Sequence, residues 1–202
     1  MRRARETLPP GGPLATAAAV AALGAARSVV LVEGLSDQLA LEVVAQRRGL
    51  DLAAAGIAVV PIGGAHAVGR FARRLSHLRL AGLCDAQEAD MFRSALDGAA
   101  VHVCTADLED ELLRAHGPAR VEALLREHGD LTAFRTFQRQ PAWRGRAVDA
   151  QLRRFLTSAD RRKLRYARIL AAAADAERVP RPLTAVLDYA SALSPGVTTP
   201  AS

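Results

Sequence analysis

With 202 residues, half of them apolar, the chain is long enough to bury a sizeable core, but aromatics supply only 4%, so Ala, Leu and Val must build it. Two cysteines exclude a disulfide framework or a four-cysteine zinc site and fit a reducing compartment, and no run of about 20 strongly apolar residues offers a membrane span. The net charge of +6 is uneven: Arg114 to Arg168 holds 14 Lys+Arg against 5 Asp+Glu, and the remainder 13 against 16. That asymmetry fits a polyanionic partner beside an acidic site, although arginine-rich coding bias would also raise the charge with no function attached. Of the 27 basic residues only Lys163 is lysine, which marks it as a candidate for a compact, titratable ammonium that arginine cannot supply.

Residues 1–12 read as a loose start. Pro13–Ala26 reads as a helix rather than a signal peptide, because Glu6 and the Pro-Pro-Gly-Gly run break the signal pattern and the segment is dominated by Ala; a cytoplasmic protein is the expectation. Short β-branched runs then predict strands at Ser28–Val32, Ile57–Ile62, Arg79–Cys84 and Val101–Thr105, with helices between them at Ser36–Arg48, His66–Leu78 and Glu88–Leu96. The first three strands are nearly continuous apolar runs, as in a parallel sheet buried on both faces. Beyond Asp107 only helices are expected: Leu108–His128 with a break at Gly117-Pro118, then Leu131–Gln138, Asp149–Leu156, Asp160–Ala174 and Pro182–Ala192. The parts divide as 1–27 (tail and helix), 28–113 (α/β core), 114–192 (basic helical extension) and 193–202 (disordered polar tail).

The chemistry stands just past each strand. Glu33 follows the first, Asp85 the third and Asp107 the fourth, and in open α/β sheets ligands bind outside the carboxyl ends of the strands. Asp37 lies one helical turn beyond Glu33, and Glu109 two residues beyond Asp107. Several carboxylates sharing one pocket need cations, and an all-oxygen set suits Mg²⁺ or Mn²⁺. An aspartate after a strand also caps helices, so Asp107 could serve as an N-cap instead, whereas Glu33 before Gly34 is an unusual cap.

These residues resemble a known family. VVLVEGLSD, a strand ending at Gly63-Gly64, GLCD and ADLEDEL are similar to a Toprim domain, above all that of the OLD-family (overcoming lysogenization defect) nucleases, over roughly Ser28 to Leu113. The resemblance implies a Rossmann-like, four-stranded parallel sheet flanked by helices, with a helical C-terminal extension. It implies a metal-dependent phosphodiester hydrolase or nucleotidyl transferase acting on DNA by a two-metal mechanism with Mg²⁺ or Mn²⁺. Glu33 would act near the reacting phosphate or hold a metal, and Asp37 would be a ligand of a second metal with Asp107 and Glu109 beside it. Asp85 matches the first aspartate of the family's Asp-x-Asp motif, but Gln87 stands where the second is expected, with Glu88 and Asp90 as candidates to compensate. Lys163, in RRKLRYA, corresponds to a lysine that stabilises the transition state. The chain contains no phosphate-binding loop of an ATPase, so a separate ATPase subunit or a homodimer is the implied partner to a stand-alone domain.

Three features keep two readings each. Gly63-Gly64 is either a turn or a close backbone approach to phosphate. Between Phe134 and Arg146, Phe134, Phe137 and Trp143 interleave with four arginines, either to stack on bases or to anchor a basic surface to the core. The whole domain is either the metal-dependent nuclease or a non-catalytic nucleic-acid-binding or assembly module with a degenerate site; an enzyme of small phosphorylated compounds is a third possibility. The five histidines lack metal-ligand spacing, and Cys84 and Cys104 are expected in the core.

Overall fold

β1 (Ser28–Val32) is buried along its whole length and sits inside a four-stranded sheet of order β2-β1-β3-β4, with β2 at Ile57–Pro61, β3 at Arg79–Cys84 and β4 at Val101–Val103. All pairings are parallel, with Val32 opposite Pro61 on one side and Leu83 on the other. The computed structural model describes residues 12–96 and 100–192; all but the last residue of the expected loose start (1–12) and the whole of the expected disordered tail (193–202) lie outside the described residues.

Strand alternation divides the core. Val29 and Leu31 face one way, toward Phe71, Leu75 and Phe92 of α3 (Val68–Arg74), the turn that follows it and α4 (Ala89–Ala95). α1 (Pro13–Ala21) packs over β2 on that side. Val30 and Val32 face α2 (Leu35–Arg47) and α10 (Arg181–Ser191). Gly82 in β3 is required by close packing, since a Cβ there would sit 2.6 Å from Cδ1 of Phe92.

On the side of α2 and α10 the chain adds α5 (Leu108–His116), α6 (Pro118–Glu127), α7 (Leu131–Gln138), α8 (Val148–Thr157) and α9 (Asp160–Ala173), with α9 lying against α2. One buried cluster runs from Val30 and Leu83 of the sheet through Leu112 to Phe134, Leu152 and Tyr166 of the extension. Arg47 ties the end of α2 to the Ala172 and Ala174 carbonyls, the latter at 2.8 Å. The helices that shape the basic region are therefore fixed to the same sheet that carries the acids.

The structure differs from the sequence expectations mainly at ends. α1 stops at Ala21, not Ala26, and the helix expected over His66–Leu78 begins as a 3₁₀ turn at Ala65–Ala67. β4 covers three residues, Val101–Val103, rather than the expected Val101–Thr105, and the chain then turns so that Asp107 caps α5. Among the described residues no helix is long and apolar enough to cross a membrane.

Candidate metal centre

The path from β1 to β2 runs over one sheet face, and the path from β2 to β3 returns past β1 over the other. Strand order therefore reverses between β1 and β3, which opens a crevice at their carboxyl ends. Glu33 and Asp85 leave the sheet at this point. Oε1 of Glu33 accepts the Asp85 backbone N–H at 2.9 Å, and the Glu33 carbonyl accepts those of Gly63 and Gly64 at 3.1 and 3.0 Å. Both glycines have positive φ (78° and 109°), so of the two readings the structure shows the turn, with its N–H groups occupied.

The residues after Asp85 form a 3₁₀ turn, Ala86–Glu88, in which the Glu88 N–H donates to the Asp85 carbonyl at 3.1 Å. With three residues per turn, side chains three apart eclipse, so Glu88 rather than Gln87 returns to the side of Asp85. Carboxylate oxygens of Glu33, Asp85 and Glu88 all lie within 4.8 Å of one another. Gln87 is exposed, and Asp90 stands on the surface 3.6 Å from Arg93. Of the two acids weighed as compensation, the fold brings Glu88 to the cluster and leaves Asp90 outside it.

Asp37 lies in the first turn of α2, where its Oδ2 accepts the Gly34 N–H at 2.8 Å and holds the turn after Glu33. Burial, then the neighbouring Glu109 carboxylate, raises its pKa to about 7. Burial, then Glu33 and Asp37, raises Asp85 to about 8. Glu33 is raised by burial against the opposing Asp85 N–H, with Glu88 adding to the rise. Glu109 is buried on α5 and likewise raised by burial, with Lys163 opposing. Mutually repelling, half-sheltered carboxylates with oxygen ligands alone are the donor set that a hard divalent cation satisfies.

Lys163 comes from α9. Its Nζ lies 3.3 Å from Oε1 of Glu109, and although burial works against the charged amine, Glu109 and Asp37 hold its pKa above the ordinary value. Asp107 is differently engaged. Oδ1 accepts the Asp110 N–H at 2.8 Å as the N-cap of α5, and Oδ2 pairs with Arg153 of α8. The next acid along, Glu111, accepts the Thr105 N–H at 2.7 Å and pairs with Arg114 at 2.6 Å.

The aromatics of the basic segment anchor it to the core. Phe134 is fully buried, and Phe137 lies 5.2 Å from Trp143 and 5.7 Å from Phe155 between ring centroids. Cys84 and Cys104 are buried free thiols, as expected. Sequence reasoning missed the Arg153 partner of Asp107. The signal for Glu88 was present in its spacing from Asp85, once the turn is known to be 3₁₀.

Residues 26–84 match the family model described as the overcoming lysogenization defect protein-like TOPRIM domain; that segment contains Glu33 and Asp37 and ends one residue before Asp85. No curated protein matches the sequence. The solved C-terminal region of the Burkholderia pseudomallei OLD protein superimposes with a TM-score of 0.59 at 16% identity, covering 81% of this chain and 96% of that one. For the C-terminal region of the Xanthomonas campestris pv. campestris OLD protein the TM-score is 0.61 at 19% identity, covering 83% and 95%. The chain thus has a Toprim-like α/β fold: residues 26–84 are similar to the OLD-like TOPRIM model, and the fold as a whole is similar to the C-terminal regions of OLD proteins.

Proposed function

We propose that the chain hydrolyses phosphodiester bonds of DNA with the help of divalent cations. The observation that carries the reading is the convergence of Glu33, Asp85 and Glu88 at the switch point, with Lys163 brought from the helical extension to the neighbouring Glu109. Glu33, Asp85 and Glu88 would hold one ion. Asp37 and Glu109, with Asp107 beside them, would serve a second. Bound Mg²⁺ or Mn²⁺ supplies an activated water and neutralises charge on the phosphate.

The protein's own part is positioning and charge. The Asp85 N–H fixes one oxygen of Glu33 and so fixes where the other points. The Gly34 N–H does the same for Asp37. Lys163 is half-sheltered, where its charge is less screened than in bulk water, and it is placed to offset negative charge that develops on the nonbridging phosphate oxygens. DNA as substrate is supported by the basic stretch Arg114 to Arg168, whose charge favours phosphate contacts over base readout.

The test is cleavage of supercoiled, linear and single-stranded DNA in Mg²⁺, Mn²⁺ or EDTA, with Glu33→Gln and Lys163→Met beside the parent. Metal-dependent cleavage lost in both variants supports the reading. Equal cleavage by Glu33→Gln overturns it. Metal-independent DNA binding without cleavage by the parent chain, alone or supplemented with an ATPase partner, would favour a non-catalytic binding module.

A further inference from the structure

Arg153 stands beside the metal centre without belonging to it. It projects from α8, the helix before the one that carries Lys163, and its Nη2 donates to Oδ2 of Asp107 at the head of α5. Lys163 makes the parallel contact to Glu109, two residues further on. Two cations from successive helices therefore cover two neighbouring acids at the rim of the same crevice. Their shelter is uneven. The Arg153 side chain is 49% exposed while that of Asp107 is 16% exposed, so the pair presents its cationic partner to solvent. A guanidinium carries five N–H donors in a planar fork, more than one carboxylate oxygen can use.

The surroundings share the sign. From Arg139 to Arg168 there are ten Lys+Arg and two Asp+Glu. Some of these hold the fold, as Arg165 does through Asp130 and the His128 carbonyl, and Arg162 through the Phe155 carbonyl. Arg144, Arg146 and Arg154 are exposed on α8 and on the loop that leads into it. That loop is pinned by the stack of Trp143 on Phe137 and by the Gln151 amide, which donates to the Trp143 carbonyl at 2.7 Å. The arginines are thus mounted on a fixed platform, so a ligand need not order the backbone that carries them.

We infer that this face receives the phosphodiester backbone next to the cleaved bond, and that Arg153 is a positioning residue which exchanges Asp107 for a phosphate oxygen as the strand seats. The inference rests on the nucleic-acid reading above and adds the surface and the residue that bind. The exchange replaces an arginine–carboxylate pair with an arginine–phosphate pair, which the same planar fork can make bidentate. Asp107 keeps its cap on α5 throughout, since that bond uses its other oxygen.

The experiment measures binding of a fluorescent DNA duplex in EDTA, where no metal-dependent cleavage occurs, over a series of salt concentrations. The variants are Arg153→Ala, Arg153→Lys, Asp107→Asn and the double variant Asp107→Asn/Arg153→Ala, each first checked for an intact melting transition. Arg153→Ala should weaken binding about five- to tenfold and reduce the salt slope by about one ion, and Arg153→Lys should recover part of the affinity. Asn retains the helix cap, so Asp107→Asn should tighten binding, and that gain should vanish in the double variant. A purely structural ion pair would make both single variants behave alike, and that result overturns the inference. So does an Arg153→Ala affinity within twofold of the parent with the same salt slope. Cleavage by the parent together with unchanged Arg153→Ala binding removes this inference and leaves the hydrolytic reading intact. Failure of cleavage together with lost Arg153→Ala binding does the reverse.

Discussion

Nζ of Lys163, the sole lysine of the chain, lies 3.3 Å from Oε1 of Glu109. The contact joins α9 to α5 and brings a residue 130 positions beyond Glu33 to the same crevice. Because Glu109 and Asp37 outweigh the effect of burial and keep its pKa raised, the amine stays protonated across the neutral range. On the proposed reaction, Lys163→Met should lower kcat about 10²- to 10³-fold and leave KM nearly unchanged. Lys163→Arg keeps the charge but changes its shape, and should retain a small part of the rate. Steady-state cleavage kinetics with Mn²⁺ check both. A change confined to KM would assign the lysine to binding.

The clustered acids make the metal-free protein sensitive to pH in a definite direction. Asp37 is raised from 3.8 to about 7 and Asp85 from 3.8 to about 8, so between these values the folded chain binds more protons than the unfolded one. Their contribution to stability is present in full below about pH 4 and is lost as pH rises through 7 and 8. In EDTA the melting temperature should therefore fall on going from pH 5 to pH 8. Discounted for partial exposure, the loss is about 1–2 kcal/mol, or about 2–8 °C for a chain of this size. Asp85→Asn should flatten the profile. Adding Mn²⁺ should raise the melting temperature more at pH 8 than at pH 5, because the ion binds the ionised carboxylates. A melting temperature unchanged by Mn²⁺ at pH 8 would count against a metal site in this crevice.

Residues that answer to a local rule were legible before the fold was. β1 and β3 run over the expected Ser28–Val32 and Arg79–Cys84, because a strand buried on both faces must be an unbroken apolar run. Gly117-Pro118 divides α5 from α6 as expected, with Gly117 capping both and Pro118 opening the second. Strand-end position alone also brought Glu33 and Asp85 together. What stayed hidden depends on distant parts of the chain. Arg153 meets Asp107 across 46 residues, and nothing local to either announces the partner. The return of Glu88 in place of Gln87 required knowing that a 3₁₀ turn, with its threefold repeat, follows Asp85. Trp143 could have faced bases or core, and only the packing of α7 on α8 decides it.

Gly82 gives a test of the core that supports the site. It pairs with Leu31 in β1, two residues before Glu33, and its missing Cβ leaves room for Phe92 and Leu96. A Cβ there would approach Cδ1 of Phe92 to 2.6 Å and Cδ1 of Leu96 to 2.9 Å. Phe92 is fully buried and cannot swing away into solvent. Gly82→Ala should cost about 1–3 kcal/mol in urea denaturation, and pairing it with Phe92→Leu should recover part of that loss. Full stability in Gly82→Ala would mean that α4 can shift off the sheet.

The two thiols report on the integrity of the same strands. Cys84 closes β3 immediately before Asp85, and burial, then the Glu33 and Asp85 carboxylates, pushes its pKa up to about 12. Cys104 follows β4 and is raised for the same first reason, with Asp85 and Asp37 adding to it. Thiolate is the reactive form, so neither group should react with DTNB at pH 8 in the folded protein, whereas both should react at once in guanidinium chloride. Labelling of Cys84 alone under native conditions would show that the carboxyl end of β3 opens without global unfolding. If Asp85 sits on a metal at that strand end, added Mn²⁺ should slow such labelling, and EDTA should restore it.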